Sequence, residues 1–195
     1  ETELLLGVAK AQLHENYIIS QTKAGLVIVD QHAAHERITY EKLKSDFKNR
    51  KVESQSLLIP EIIELSGNEH EVILEFSDTM KEVGFNVENF GNSAICVRSI
   101  PAIIGCENVK SLIEEILEEL IEIGISDTIE NRVNAIISRI ACHGSVRAGR
   151  LLKADEMNEL LRQIESTPFS AQCNHGRPTF VQLKLSDIEK LFGRK

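Results

Sequence analysis

The sequence predicts an α/β (α+β) fold of two subdomains, one of them discontinuous. Three observations carry this. β-Branched or apolar runs beside turns, at Leu26-Val27-Ile28-Val29 and from Ala94 to Ile100, read as strands of hairpins. Between them lie segments whose apolar residues recur at helical spacing. Three short clusters rich in His, Cys and carboxylate side chains flank a middle block that has none, so that block reads as an insertion. The expected division is residues 1–52 with 126–195 as one subdomain and 53–125 as the other.

The elements follow in order. Leu4 to Leu13 is mostly apolar, and Tyr17 to Thr22, the Lys23-Ala24-Gly25 turn and Leu26 to Val29 form the first hairpin. Gln31 to about Arg50 has helical composition without Gly or Pro, and Asp30 is either its N-cap or the last residue of the strand. Val52 to Ile63 holds Pro60 in an apolar run, which suits an extended segment or edge strand. Asn68 and Glu71 have capping-box spacing and open a helix with Val72, Ile73, Phe76, Met80 and Val83 inside, stopped by Gly84. Phe85 to Phe90 and Ala94 to Ile100 make the second hairpin. Ser111 and Glu114 repeat the capping spacing before a helix with an apolar stripe and a glutamate face. Asp127 or Thr128 caps the next helix, which runs into Ala141-Cys142-His143. Ala154 to Ile164 is helical, Thr179 to Leu185 alternates as a strand, and Ser186 caps a last short helix.

Composition narrows the function. A chain of 195 residues with 42% hydrophobic residues can bury a sizeable core. A net charge of -8 argues against tight independent binding to nucleic acid, which relies on neutralising phosphates. With no signal peptide or apolar run of membrane-spanning length, the expectation is a soluble, intracellular protein. The start at Glu1, without Met, suggests a piece of a longer chain. Of the four cysteines, Cys96 sits in an apolar run as a buried inert thiol and Cys106 in a loop; only Cys142 and Cys173 have histidines beside them.

The first cluster is Asp30-Gln31-His32-Ala33-Ala34-His35-Glu36, with Glu41 beyond it. Four residues apart on a helix, His32 and Glu36 share a face, whereas His35 is turned about 60° from His32. Taken alone, this pair fits a solvated surface pair as well as a metal site. Cys142 alone fits a core position at the end of an apolar helix. Cys173-Asn174-His175-Gly176-Arg177-Pro178 places a thiol and an imidazole one residue apart in a loop shaped by Gly and Pro. Pooled, these residues suffice for a tetrahedral Zn²⁺ with carboxylates to spare. The spare Asp30 and Glu41 suit Mg²⁺ or Mn²⁺ and hydrolysis at phosphorus, and Arg177 suits either a phosphate or a structural carboxylate.

In this order and over essentially the whole chain, the motifs resemble those of MutL-type DNA mismatch repair proteins. Asp30-Gln31-His32-Ala33, Glu36 and Glu41 look like the family's endonuclease motif; Ala141-Cys142-His143, the Cys173–Pro178 run and Phe192-Gly193-Arg194 look like its later motifs. The resemblance implies a C-terminal domain that homodimerises and nicks one strand of duplex DNA, separate from an ATPase domain. His32, Glu36, Cys142, Cys173 and His175 would be zinc ligands, with Asp30 and Glu36 essential for nicking in Mn²⁺ or Mg²⁺ and Asp30 joining the metal shell. Glu41 and Arg177 are counted with the catalytic set. One departure is His143, where relatives often carry Arg; it could join the metal shell. Gln55, Leu58, Ile59 and Pro60 look like the family's sliding-clamp-binding segment, Gln at a pocket rim and the apolar residues in a groove. The implied partners are the clamp, DNA bound weakly by this part alone, and a mismatch-recognition protein reached through the full-length chain, in the bacterial cytoplasm at the nucleoid.

Two rivals remain in view. One is a non-catalytic module in which zinc is structural and the domain dimerises and recruits the clamp. The other is a zinc deaminase or peptidase, but neither His-x-Glu with Cys-x-x-Cys nor His-Glu-x-x-His occurs.

Overall fold

A computed structural model describes residues 4–105, 108–124, 128–144 and 150–194. Cys106 and Asp127 lie outside the described residues. The fold is mixed α/β, with two antiparallel sheets and seven helices among the described residues. The chain divides into two compact units, Glu1–Glu41 with Ser145–Lys195, and Lys42–Gly144. The second break follows Gly144 because the helix ending there packs on the helix before it.

In the first unit, β1 (Val8–Leu13), β2 (Tyr17–Gln21), β3 (Gly25–Asp30) and β7 (Phe180–Lys184) form a sheet in that spatial order. The apolar opening segment thus supplies a third strand to the expected hairpin, through a tight turn with His14 and Glu15 at positive φ. Gly25 is required where β3 meets β7, since a Cβ there would collide with the Leu183 carbonyl. One face of the sheet is covered. Ile18, Val27 and Val29 pack with Leu6, Ala34 and Leu152, and with Met157, Leu160, Leu161 and Ile164 of α6 (Ala154–Ser166). Burying a side chain of this kind contributes about 1.5–3 kcal/mol. The first unit also holds the start of α1 (Gln31–Lys48), and α7 (Leu185–Leu191) beside β7. Among the described residues no side chain caps α7, contrary to the expectation for Ser186, because the helix starts at Leu185, directly off the strand and two residues before the start that a Ser186 cap would set.

The opposite face of this sheet is apolar and open. Residues directly paired across antiparallel strands share a face. The pairs Leu13 with Tyr17, Ala11 with Ile19, Ile19 with Ile28, Ile28 with Val181 and Leu26 with Leu183 therefore form one continuous surface. Leu13, Tyr17, Val181 and Leu183 on it are exposed.

In the second unit, β4 (Ser54–Glu64), β6 (Ala94–Pro101) and β5 (Asn86–Asn89) form the other sheet, with β4 at an edge. The helices α2 (Gly67–Glu75), α3 (Ser77–Glu82), α4 (Val109–Ile123) and α5 (Ile129–Gly144) complete the unit. The capping box that forms is Ser66 with Glu69, not Asn68 with Glu71. The Ser66 amide donates to Glu69 Oε2 at 2.7 Å, and the Ser66 side chain accepts from the Glu69 amide. The helix also breaks at Phe76 into two. Ser111 caps nothing, because α4 begins at Val109 after Asn108 in the left-handed region. Thr128 Oγ1 does accept from the Asn131 amide near the start of α5. Cys96 is buried, as its apolar setting requires.

Candidate metal centre

The first cluster is built at the junction of β3 and α1. Asp30 is both the last residue of the strand and the cap of the helix: its amide donates to the Thr179 carbonyl at 2.8 Å, and its Oδ1 accepts from the Ala33 amide at 3.0 Å. The capping bond secures one carboxylate oxygen, leaving Oδ2 as the oxygen a ligand could engage. Six residues later Glu36 is 4% exposed, an unusual position for a carboxylate unless something pairs it.

The Cys173 cluster is a tight turn. The Gly176 amide donates to the Cys173 carbonyl at 3.0 Å, the Cys173 amide donates to the Arg177 carbonyl at 2.8 Å, and Gln172 bridges Pro178. Gly176 sits at φ +78°, which a Cβ would strain. Thr179, wholly buried, anchors the base of the turn. Its hydroxyl donates to the Ser170 carbonyl, its amide to that of Ala171, and its own carbonyl receives Asp30. No pattern in the sequence singled out Thr179.

This arrangement brings two of the clusters together within the first unit. His175 Nδ1 lies 3.6 Å from Glu36 Oε1, and the Asn174 amide nitrogen lies 3.5 Å from the same oxygen. Both contacts are long, so the buried Glu36 carboxylate is only loosely satisfied. Cys173 is a buried free thiol in the same turn, while His32 and Arg177 are exposed. Glu41 does not face the other carboxylates through a shared contact; it pairs with Arg37 at 3.3 Å. Burial first, then the nearby charges of Arg150 and His32, hold the His35 imidazole below its ordinary pKa, so it is neutral near pH 7.

Cys142 belongs to the second unit, half-buried in the last turn of α5. Its neighbour His143 is engaged there: Nε2 stands 3.0 Å from Glu115 of α4, and Arg139 pairs with Glu115 and Glu119 on the same helix. The glutamate face of α4 is therefore partly an inter-helix surface rather than wholly solvated. Among the described residues, no three His, Cys, Asp or Glu side chains stand close enough to hold an ion between them. What the first unit offers a cation is the buried Glu36 carboxylate, the His175 imidazole facing it and the Cys173 thiol in the same turn as that imidazole. That donor set fits zinc.

In the second unit, the strand β4 carries an outward bulge. Ser56 pairs with Ser99 and Glu61 with Val97, so Leu57 to Pro60 span what Arg98 alone spans on β6. Leu58 is 99% and Ile59 80% exposed. The Gln55 side chain instead donates to the Ile104 carbonyl at 2.8 Å. Among the described residues, no helix is long and apolar enough to cross a membrane.

Residues 10–152 match the family described as the MutL C terminal dimerisation domain. The chain is 52% identical over 98% of its length to DNA mismatch repair protein MutL of Mesorhizobium japonicum, covering 30% of that protein. It is 50% identical to the protein of the same name from Bartonella quintana and 52% identical to that from Rickettsia bellii, covering 97% of the chain and 31% of each relative. The chain thus spans about a third of the length of the curated relatives it matches. With a match across most of its length and half its residues shared with these relatives, the chain belongs to the MutL C-terminal dimerisation domain family.

Proposed function

We propose that this chain is the metal-dependent nicking endonuclease part of a DNA mismatch repair protein, acting as a homodimer and stimulated by a sliding clamp. The observation that supports it best is the meeting of Glu36 with the Cys173–Arg177 turn beside Asp30. Glu36, His175, Cys173 and His32 would hold zinc, and Asp30 and Glu36 would serve Mn²⁺ or Mg²⁺. Bound there, such a cation supplies charge neutralisation and a more acidic water.

The chain's own groups do the rest. Asp30, its Oδ1 locked by the helix cap, would hold the cation through Oδ2, and the proton of the attacking water passes to solvent. Exposed Arg177 offers paired donors to a phosphate oxygen. The water oxygen forms the new bond to phosphorus as the bond to the sugar oxygen breaks, and that oxygen leaves with a proton taken from solvent water. Glu41 acts through Arg37 rather than on the substrate. The net charge of -8 fits a site to which DNA is delivered by partners: the clamp, the mismatch-recognition protein and the ATPase part of the full-length protein, at the bacterial nucleoid.

The open apolar sheet face supports the homodimer, since surfaces of this kind mark interaction sites. The exposed Leu58-Ile59-Pro60 bulge supports clamp docking, with Leu58 and Pro60 entering a groove. A second reading, a zinc-stabilised dimerisation and clamp-recruitment module without catalysis, is favoured by the pairing of Glu41 with Arg37 rather than with the other carboxylates. Metal analysis of the purified chain, together with supercoiled-plasmid nicking in Mn²⁺ with and without clamp, separates the two. Clamp-stimulated nicking supports the enzyme; zinc and clamp binding without nicking supports the module.

A further inference from the structure

Arg37 adjoins Glu36 but is none of the residues that the sequence motifs single out. Arg37 is only 15% exposed at its side chain, although arginine on a helix normally reaches water. Its guanidinium is held from several sides. Nη2 pairs with Glu41 one turn on, at 3.3 Å, and Nη1 donates to Asn174 Oδ1 at 3.2 Å. The rings of Tyr40 and Phe169 lie 5.5 and 5.8 Å from it. Among the described residues its Nε is buried without an acceptor. A group left unsatisfied in this way points to a position kept for something other than its own comfort.

The amide of Asn174 has two ends. Arg37 binds its oxygen, and that fixes which way the amide points. Its nitrogen is then aimed at Glu36 Oε1, the oxygen that also faces His175. We infer that Arg37 is a positioning residue: through Asn174 it sets the orientation of the Glu36 carboxylate toward His175 and so prearranges the metal centre. Glu41 is part of the same device, holding the guanidinium in place. The contact from Arg37 to Asn174 crosses 137 residues of sequence and ties the helix to the turn. This inference rests on the reading of Glu36 and His175 as metal ligands.

The test uses the purified chain as wild type, Arg37→Met, Arg37→Lys and Asn174→Ala. Zinc affinity is read by competition with a chromogenic chelator, and ligand geometry by the visible spectrum of the Co²⁺-substituted protein. Partners that orient metal ligands typically change affinity about 10–100-fold when removed, so Arg37→Met and Asn174→Ala are expected to fall in that range with an altered cobalt spectrum. Arg37→Lys is expected to recover part of the affinity, since its ammonium can still donate to Asn174. Circular dichroism establishes that each variant is folded; if Arg37→Met does not fold, Asn174→Ala and Arg37→Lys decide. Wild-type affinity and spectrum in the folded variants would overturn the inference while leaving the metal site standing. A wild-type chain that binds neither Zn²⁺ nor Co²⁺ would overturn the metal-site reading and this inference with it.

Discussion

The amide of Asp30 donates to the carbonyl of Thr179 at 2.8 Å, joining the end of β3 to the base of the Cys173–Pro178 turn. The two residues are far apart in sequence, Asp30 in the first motif and Thr179 directly after the Cys173–Pro178 run. Their bond carries the turn to the helix start, so that the imidazole of His175 faces the carboxylate of Glu36.

Thr179→Val keeps the shape of that anchor and removes its hydroxyl. The donor to the Ser170 carbonyl is lost at a wholly buried position, at an expected cost of about 1–3 kcal/mol. Urea unfolding measures the loss, and hydrogen exchange at the Asp30 amide is expected to quicken beyond what the global change explains.

The open face of the first sheet gives a second expectation. Placing a charge on it, as in Val181→Asp with Leu183→Asp, should weaken self-association by roughly 30-fold or more while leaving the opposite, covered face intact. Light scattering across a concentration series reads this as a shift from dimer to monomer.

Leu58 and Ile59 project from the β4 bulge and touch little of their own unit. The double change Leu58→Ala with Ile59→Ala is expected to move stability by no more than about 0.5 kcal/mol. Binding to the sliding clamp, measured by surface plasmon resonance, is expected to fall at least tenfold, about 1.4 kcal/mol.

The capping box of α2 supplies a pH dependence. The Ser66 side chain, then its amide, hold the Glu69 carboxyl below its ordinary pKa. The unfolded chain therefore takes up this proton first as pH falls. The stabilisation is complete above the unfolded-state pKa and is lost as pH drops through the folded-state value. Ser66→Ala is expected to cost about 1 kcal/mol at neutral pH and progressively less in acid. Thermal melts of both proteins from pH 7 to pH 3 check this.

The sequence was readable where the signal is local and periodic. The Leu26–Val29 strand, the helix after Asp30, the amphipathic stripes of α4 and α5 and the edge strand with Pro60 all follow from side-chain spacing. Helix starts were less legible. Ser66 and Glu69 have the same spacing as Asn68 and Glu71, and the choice depends on where the backbone turns out of β4. The β1 strand was hidden because only pairing with β2 defines it. In the site, His32, Glu36, Cys173 and His175 stood out by residue type and spacing. Thr179, Asn174 and Arg37 did not, because their roles arise from contacts between distant segments and leave no period. His143 adjoins a motif, yet its pairing with Glu115 depends on how α4 and α5 pack.

The most direct measurement of the central claim is Mn²⁺-dependent nicking of supercoiled plasmid by Asp30→Asn beside the wild-type chain, with clamp present. Asn caps a helix about as well as Asp, so the bond to Ala33 and the start of α1 should survive. The expected result is nicking by the wild type and its loss in Asp30→Asn, with zinc content and dimer mass unchanged. Equal nicking by the two proteins, or none by either under every metal tested, would contradict it.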